Sequence, residues 1–238
     1  MPVRILRLAP LAALAAVAVW AIASGAVRRL SFAQLQSHHA AMTAYVHAHP
    51  AQSLALYLAA DVAVVAACIP GPGLMCVIGG FLFGAWLGGA AALAGAVAGS
   101  LIAYGAVRFA LGERFVERLG ERPARLVKAL RGNAFSTLLT IRLMPVTPLM
   151  LINIAAGAAR APVGPFAAAS ALGGAPVSFV LAFLGAGLGG LFARGQRADP
   201  SMLFAPRILI PLAALAALSG GALIWRLMRR RGRTGSNR

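Results

Sequence analysis

The sequence predicts an all-α, polytopic membrane protein with about five transmembrane helices and two re-entrant hairpins. Three observations predict this fold class. Hydrophobic residues make up 60% of the 238 residues and charged residues 11%, against roughly 25% charged residues in soluble domains. Several apolar stretches are long enough to cross a bilayer. Two of the apolar stretches are interrupted by prolines and glycines, and irregular backbone at membrane depth needs protein or water to satisfy it.

Five apolar stretches approach the roughly 20 residues that span a hydrocarbon core. They are residues 8–27, 53–69, 87–111, 164–192 and 208–225. The first contains Ala21-Ile22-Ala23, the small-x-small pattern of a signal-peptide cleavage site, so a cleaved signal and a first span both stay open. We interpret it as a span, because its apolar run is longer than a signal core. The fourth stretch is expected to break near Gly173-Gly174-Ala175-Pro176.

The two interrupted segments, 70–84 and 136–157, each precede a long apolar stretch. Paired broken segments in corresponding places point to a binding site at a repeat interface. We therefore expect a pseudo-inverted repeat with a cavity between the broken segments. The prolines and glycines expected to shape this cavity are Pro70, Gly71, Pro72, Gly73, Gly84, Gly88, Pro145, Pro148 and Gly157.

The chain divides into a first span with a polar segment (1–52), a core (53–193), and a last span with a basic tail (194–238). Within the core, 112–133 is predicted to be a basic amphipathic helix in the headgroup region, with a solvated linker as the alternative. The net charge is +17. Because the basic residues flank apolar spans, they favour anionic lipid headgroups and a cytoplasmic tail over nucleic acid. Five spans would place the termini on opposite sides, and the side of the N-terminus stays open.

Four polar side chains interrupt the apolar stretches and are the candidates for substrate or ion binding. Asp61 is a predicted proton or cation site, since a carboxylate in hydrocarbon is costly unless protonated, paired or hydrated; an inert place near an interface is the alternative. Arg142 suits bidentate contact with a phosphate, or it binds carbonyls freed by the nearby prolines. Asn153 can donate and accept in the same cavity. Arg108 either extends to the membrane interface or is turned into the cavity at Gly105.

We further predict that Asp61 and Arg142 line one cavity, where a lipid phosphate would displace the carboxylate from the guanidinium. Separately, four glycines recur at spacings that place them on one helical face. They are Gly84, Gly88, Gly95 and Gly99. Small residues on one face let a second helix approach closely in lipid.

No metal site, cofactor or enzymatic activity is expected. The histidines, His38, His39, His47 and His49, all lie in one polar segment without a cysteine or carboxylate to complete a metal site. The same placement disfavours a serine nucleophile with a histidine base, and no His-Glu-x-x-His pair exists. Cys68 and Cys76 are interpreted as small packing residues.

Between residues 54 and 190 the chain carries, in this order, Gly-Gly-Phe-Leu-Phe-Gly-x-x-x-Gly at 79–88, Gly95-x-x-x-Gly99-Ser100, Arg108, Arg142-Leu143-x-Pro145-x-x-Pro148 and Asn153-x-x-x-Gly157. By the order and spacing of these motifs, roughly Leu54 to Gly190 resembles the DedA / SNARE-associated Golgi protein superfamily, whose members carry a VTT domain. The resemblance implies a polytopic protein with two opposed re-entrant loops and both termini inside.

The resemblance also implies movement of lipids between leaflets, driven or passive. We therefore expect a multi-pass protein of a bacterial plasma membrane. It would move a phosphate-bearing lipid, an anionic phospholipid or a polyprenyl phosphate, with coupling to protons through Asp61. The alternative is an assembly, trafficking or envelope-homeostasis factor. The sequence leaves the oligomeric state open.

Overall fold

The computed structural model describes residues 41–69, 71–110, 130, 132–143 and 148–193. The predicted first and last spans, the basic tail, His38, His39, Pro70, Pro145 and most of the amphipathic insert lie outside the described residues. The described residues form helices joined by short connections and contain no strand. The all-α prediction is therefore confirmed for this part of the chain.

Six helices follow one another after a helical stretch at 41–48. They are α1 (Pro50–Ala66), α2 (Pro72–Phe83), α3 (Ala85–Ala110), α4 (Ala134–Leu143), α5 (Leu149–Ala158) and α6 (Val163–Ala193). Pro50 and Pro72 stand at the starts of α1 and α2, where the missing amide hydrogen has no helical partner to lose.

Two of these helices are long and apolar enough to cross a membrane, α3 over Ala85–Ala110 and α6 over Val163–Gly190. At 1.5 Å per residue the 26 residues of α3 extend about 39 Å, more than the roughly 30 Å of a hydrocarbon core. The 12 residues of α2 extend only about 18 Å, and α4 and α5 are shorter still. Helix α3 is therefore more than twice as long as α2, α4 or α5.

Helix α3 is the centre of the packing. It contacts α1, α2, α5 and α6, and α6 in turn contacts α2 and α4. One buried cluster lies around Leu138, Ile152 and Phe166, and another around Tyr57 and Ala92. The two interrupted segments thus meet the same pair of long helices.

The helix ends show how the chain turns. Helices α1 and α5 both end in a Schellman motif, in which two amides bond back to carbonyls of the last turn. In α1 the amides of Cys68 and Ile69 do so at 3.1 Å, and in α5 the amides of Arg160 and Ala161 do so at 3.1 Å. Cys68 and Arg160 take left-handed φ values of 55° and 51°, where glycine is usual. Both connections are therefore sharp without a glycine at the turn.

Glycines set the closest helix approaches. A Cβ atom at Gly95 would lie 2.3 Å from the Asp61 carboxylate, and one at Gly99 would lie 2.8 Å from the Val62 carbonyl oxygen. Both glycines therefore let α1 lie against α3, as the common face predicted. Gly88 faces α2 instead. The prediction that Gly84 shares this face is wrong, because Gly84 lies in the break before α3 with φ 80°.

Helix α6 is continuous through Pro176. The predicted break near Gly173-Gly174-Ala175-Pro176 is therefore wrong. Proline removes one helical hydrogen bond, to the carbonyl of Leu172, and helix packing tolerates that loss here.

Candidate functional site

A cavity of about 220 Å³ lies between the two interrupted segments. Pro72, Gly73 and Cys76 at the start of α2 form one wall, and Leu149 and Ile152 of α5 form another. Arg142 lines it from the end of α4. The two long helices complete it with Leu93, Ala96, Val97, Ser170, Gly173, Gly174, Val177 and Ser178. The cavity is therefore mainly apolar with one cation in its wall.

Arg142 is held by its neighbours without being neutralised. One guanidinium nitrogen donates to the Asn153 side-chain oxygen at 3.2 Å, and the guanidinium carbon lies 5.5 Å from the centroid of the Phe166 ring, within cation–π range. Its Nε atom is buried and has no hydrogen-bond partner among the residues that the structure describes. No acidic side chain is among the cavity-lining residues that the structure describes. A buried donor and a cation therefore remain available to an anionic ligand.

Asn153 joins Arg142 to α3. Its side-chain nitrogen donates to the Ser100 hydroxyl oxygen at 3.3 Å, so its oxygen is directed to Arg142. Asn153 is 1% exposed and Ser100 is fully buried. Because α3, α4 and α5 each contribute one member, this three-residue chain fixes the position of the guanidinium relative to the central helix.

Asp61 lies elsewhere, buried between α1 and α3. It is 1% exposed, one carboxylate oxygen is buried without a partner, and Gly95 makes the space for it. Five residues separate Gly95 from Ser100, about 140° around the helix, so Asp61 and the Arg142–Asn153–Ser100 chain meet different faces of α3. Asp61 is not among the cavity-lining residues. The structure therefore does not bring Asp61 and Arg142 together in that cavity.

Arg108 is also outside the lining of the cavity. Its guanidinium donates to the Tyr104 hydroxyl and, at 3.2 Å, to the Ala161 carbonyl oxygen. The Tyr104 hydroxyl donates to the same carbonyl. Helix α3 runs unbroken past Gly105, so nothing turns Arg108 towards the cavity. Arg108 instead ties the last turns of α3 to the connection between α5 and α6.

The predicted cavity-shaping residues divide by role. Pro72 and Gly73 line the cavity. Gly71 and Gly84 flank α2 with φ values of 136° and 80°, and Pro148 directly precedes α5. Two others serve helix contact, because a Cβ at Gly88 would lie 2.2 Å from the Gly79 carbonyl oxygen and one at Gly157 would lie 2.6 Å from that of Tyr104.

Sequence reasoning missed the wall that α6 supplies. Ser170, Gly173, Gly174 and Val177 recur at three- and four-residue spacing, which places them on one helical face. Gly173 leaves the space that Arg142 occupies, since a Cβ at this position would lie 2.7 Å from the arginine Cβ. Phe166, one turn before Ser170, supplies the ring next to the guanidinium. The spacing was visible in the sequence, but nothing in it indicated that this face meets Arg142.

Within the described part of the chain, no group of three histidine, cysteine or acidic side chains could hold a metal ion. Cys68 and Cys76 are both free thiols.

Together, the long apolar helices, the short interrupted ones and the cationic cavity define a helical membrane-associated protein with an internal cavity. The model of the VTT domain matches residues 69–187, half of the chain. The chain therefore belongs to the VTT-domain family, the DedA / SNARE-associated Golgi superfamily, as its motifs predicted. Comparison with curated proteins and with solved structures finds no match.

Proposed function

We propose that this protein moves a phosphate-bearing lipid between membrane leaflets through the cavity between its interrupted segments. The observation that carries the proposal is Arg142, a cation in an apolar cavity whose described lining contains no acid. An arginine at the centre of a bilayer is penalised by roughly 2.5–3.5 kcal/mol on insertion scales. A ligand phosphate would offset that penalty with charge-assisted hydrogen bonds.

The lining favours particular lipid headgroups. A phosphate oxygen can accept from the Nε of Arg142, which has no partner among the described residues, and Nη2 beside it carries a second hydrogen in addition to the one donated to Asn153. An ammonium group would find no carboxylate in the described lining. An anionic phospholipid or a polyprenyl phosphate therefore fits better than a zwitterionic lipid. No covalent step or cofactor is part of this proposal.

Helix length supports a proposed membrane arrangement. We place α1, α3, α6 and the stretches 8–27 and 208–225 across the bilayer of a bacterial plasma membrane. Because α2, α4 and α5 are too short to cross, they enter it as two re-entrant segments related by a pseudo-inverted repeat. In a variant without Cys68 and Cys76, Gly73→Cys should then react with a water-soluble thiol reagent, whereas Ala92→Cys, fully buried, should not. Protection of Gly73→Cys would contradict a hydrated cavity.

Asp61, which meets a different face of α3 from Arg142, is proposed to couple this lipid movement to proton uptake and release. A carboxylate buried without a partner on one oxygen is stabilised when it takes up a proton. Since Asp61 contacts α3 at Gly95 and Ser100 of α3 contacts Asn153, the central helix connects the two charged groups. Direct competition between Asp61 and phosphate for Arg142 is therefore not part of the proposal.

The proposal is tested in liposomes that contain a labelled phosphatidic acid in both leaflets, with the outer label quenched by an impermeant reagent. Wild type should expose the inner label, and Arg142→Ala should slow exposure at least tenfold. Arg142→Lys should recover part of the rate, because it restores charge without the bidentate fork. Arg160→Ala is the matched control, since Arg160 is exposed on a turn and should behave as wild type.

Labelled phosphatidylcholine provides a second arm and should move more slowly than phosphatidic acid. Equal rates for wild type and folded Arg142→Ala would overturn the proposal. That outcome would favour the alternative of an assembly or envelope-homeostasis factor, which does not need a buried cation.

A further inference from the structure

Helix α1 carries a row of polar side chains that leads to Asp61. His49, Ser53, Tyr57 and Asp61 follow one another at four-residue spacing. His49 is the N-cap of α1, and the other three lie within about 80° of one another around the helix, on one side of it. His49 is exposed at the start of α1. Ser53, Tyr57 and Asp61 are 8%, 6% and 1% exposed. The row therefore begins at the surface and ends at the most deeply buried carboxyl group.

Two atoms of the row are buried without a partner, the Ser53 hydroxyl oxygen and one oxygen of Asp61. Buried polar groups in proteins nearly always have a partner, which ordered water often supplies. Ser53 stands in the first turn of α1 and does not bond back to the helix. No side chain in the described part of the chain satisfies these two groups, and water is the usual alternative partner for buried polar groups.

Tyr57 lies midway and has a fixed orientation. Its hydroxyl donates to the Met75 carbonyl oxygen at 2.8 Å, so the phenol oxygen remains free to accept. Gly79 leaves room for it, since a Cβ there would lie 2.5 Å from that oxygen. Four residues advance about 6 Å along a helix, close to the span of two hydrogen bonds through one water. The axial spacing of the row therefore matches one bridging water between successive members.

Resting on the proposed function, we propose that this row is the path by which protons reach Asp61 from the surface. Protons enter at His49, the exposed member of the row. They pass along water that the Ser53 hydroxyl and the phenol oxygen of Tyr57 hold in place. Tyr57 only accepts from this water, because its own hydrogen stays on the Met75 carbonyl, and the last water donates the proton to the Asp61 carboxylate; release follows the reverse order. The titratable groups that interact electrostatically with Asp61 are Tyr57 on α1 and Cys76 on α2, while α3 presents Gly95. None of these is a base that would retain the proton.

The test measures Asp61 protonation directly in the full-length protein in liposomes, after a rapid pH drop. The readout is the infrared carbonyl band of the protonated carboxyl group, identified by its absence in Asp61→Asn. Ser53→Ala and Tyr57→Phe should slow the rise of this band at least tenfold and leave its final size unchanged. Ser53→Thr, which keeps the hydroxyl, should retain the wild-type rate.

Two histidines provide a matched control for the surface end. His49→Gln should slow the rise, whereas His47→Gln, exposed but off the row, should not. Wild-type rates in both Ser53→Ala and folded Tyr57→Phe would overturn the proposal. If Tyr57→Phe does not fold, the comparison of Ser53→Ala with Ser53→Thr decides alone.

This outcome is separable from that of the lipid assay. If the substitutions in the row slow the infrared band but the protein moves no labelled lipid, the proton path is supported and the transport function is rejected. If lipid movement depends on Arg142 but the substitutions in the row do not slow the infrared band, only the proton path is rejected.

Discussion

The two interrupted segments occupy comparable positions beside the long helices, but they are held there by different chemistry. The first, α2, is packed through bare backbone. A Cβ at Gly80 would lie 1.9 Å from the Ala182 carbonyl oxygen, and one at Gly185 would lie 1.9 Å from that of Val77. The second, α4 with α5, has one such contact, at Gly157 against the Tyr104 backbone, and is held in addition through the side chains of Arg142, Asn153 and Ser100.

The difference separates two tasks. Contact through glycine backbone leaves no side chain that could move, so α2 forms a fixed wall. Contact through an amide and a guanidinium leaves polar atoms that a ligand can share. Mutations in the first segment should therefore act on stability, and mutations in the second on both stability and ligand binding.

The largest effect is expected from Gly80→Ala. Its methyl group would overlap the α6 backbone, and neither helix can yield locally, so the free energy of unfolding should fall by about 3 kcal/mol. Thermal unfolding in detergent measures this. The matched control is Gly105→Ala, which meets nothing within 4 Å in α3 and should gain up to about 1 kcal/mol from helix propensity. Similar losses in both variants would contradict backbone packing as the cause.

Asn153→Ala should give the next largest effect and should also weaken lipid movement. It leaves Arg142 and Ser100 without their shared partner, at a cost of about 1–3 kcal/mol for buried polar groups. Ser170→Ala is the control within the same cavity. Its hydroxyl bonds only to the Phe166 carbonyl of its own helix, and its loss should change stability by less than about 0.5 kcal/mol. Full lipid movement in Asn153→Ala would show that the amide does not position the guanidinium.

Tyr104→Phe should cost about 1 kcal/mol, measured by the same unfolding assay. The hydroxyl is lost to both Ala161 and Arg108, while the stacking on Phe166, with centroids 4.7 Å apart, is retained. The lipid rate should stay near that of wild type, because neither Tyr104 nor Arg108 lines the cavity. A loss of transport as large as that of Arg142→Ala would place Arg108 in the transport path after all.

An effect of similar size, but a gain in stability, is expected at the feature that α1 and α5 share, a Schellman turn with a residue other than glycine. Arg160→Gly should raise the free energy of unfolding by about 1 kcal/mol, because it relieves a left-handed conformation of an L-residue. Arg160→Ala should give no gain, since alanine keeps the Cβ. Equal melting temperatures for the two variants would show that φ 51° is unstrained here.

Local chemistry made part of this architecture predictable. The breaks at Gly71-Pro72, Gly84 and Pro148 follow from backbone properties that act within a few residues, and the Gly95 and Gly99 contacts follow from spacing on one helix. The separation of Asp61 from Arg142 was not predictable, because it depends on which face of α3 each neighbouring helix meets. The partner of Arg108 depends similarly on a connection 53 residues away in sequence. Pro176 predicted a break that tertiary contact overrides.

Pro176 has a mechanical consequence for the cavity. Since it has no amide hydrogen, the Leu172 carbonyl lacks its helical bond, and Gly173 and Gly174 add no side-chain bulk beside the gap. The longest helix is therefore least stiff over the residues that form one cavity wall, while the facing wall at α2 is clamped by glycine backbone. A ligand larger than the resting volume would be accommodated at lowest free energy by bending α6 at this point.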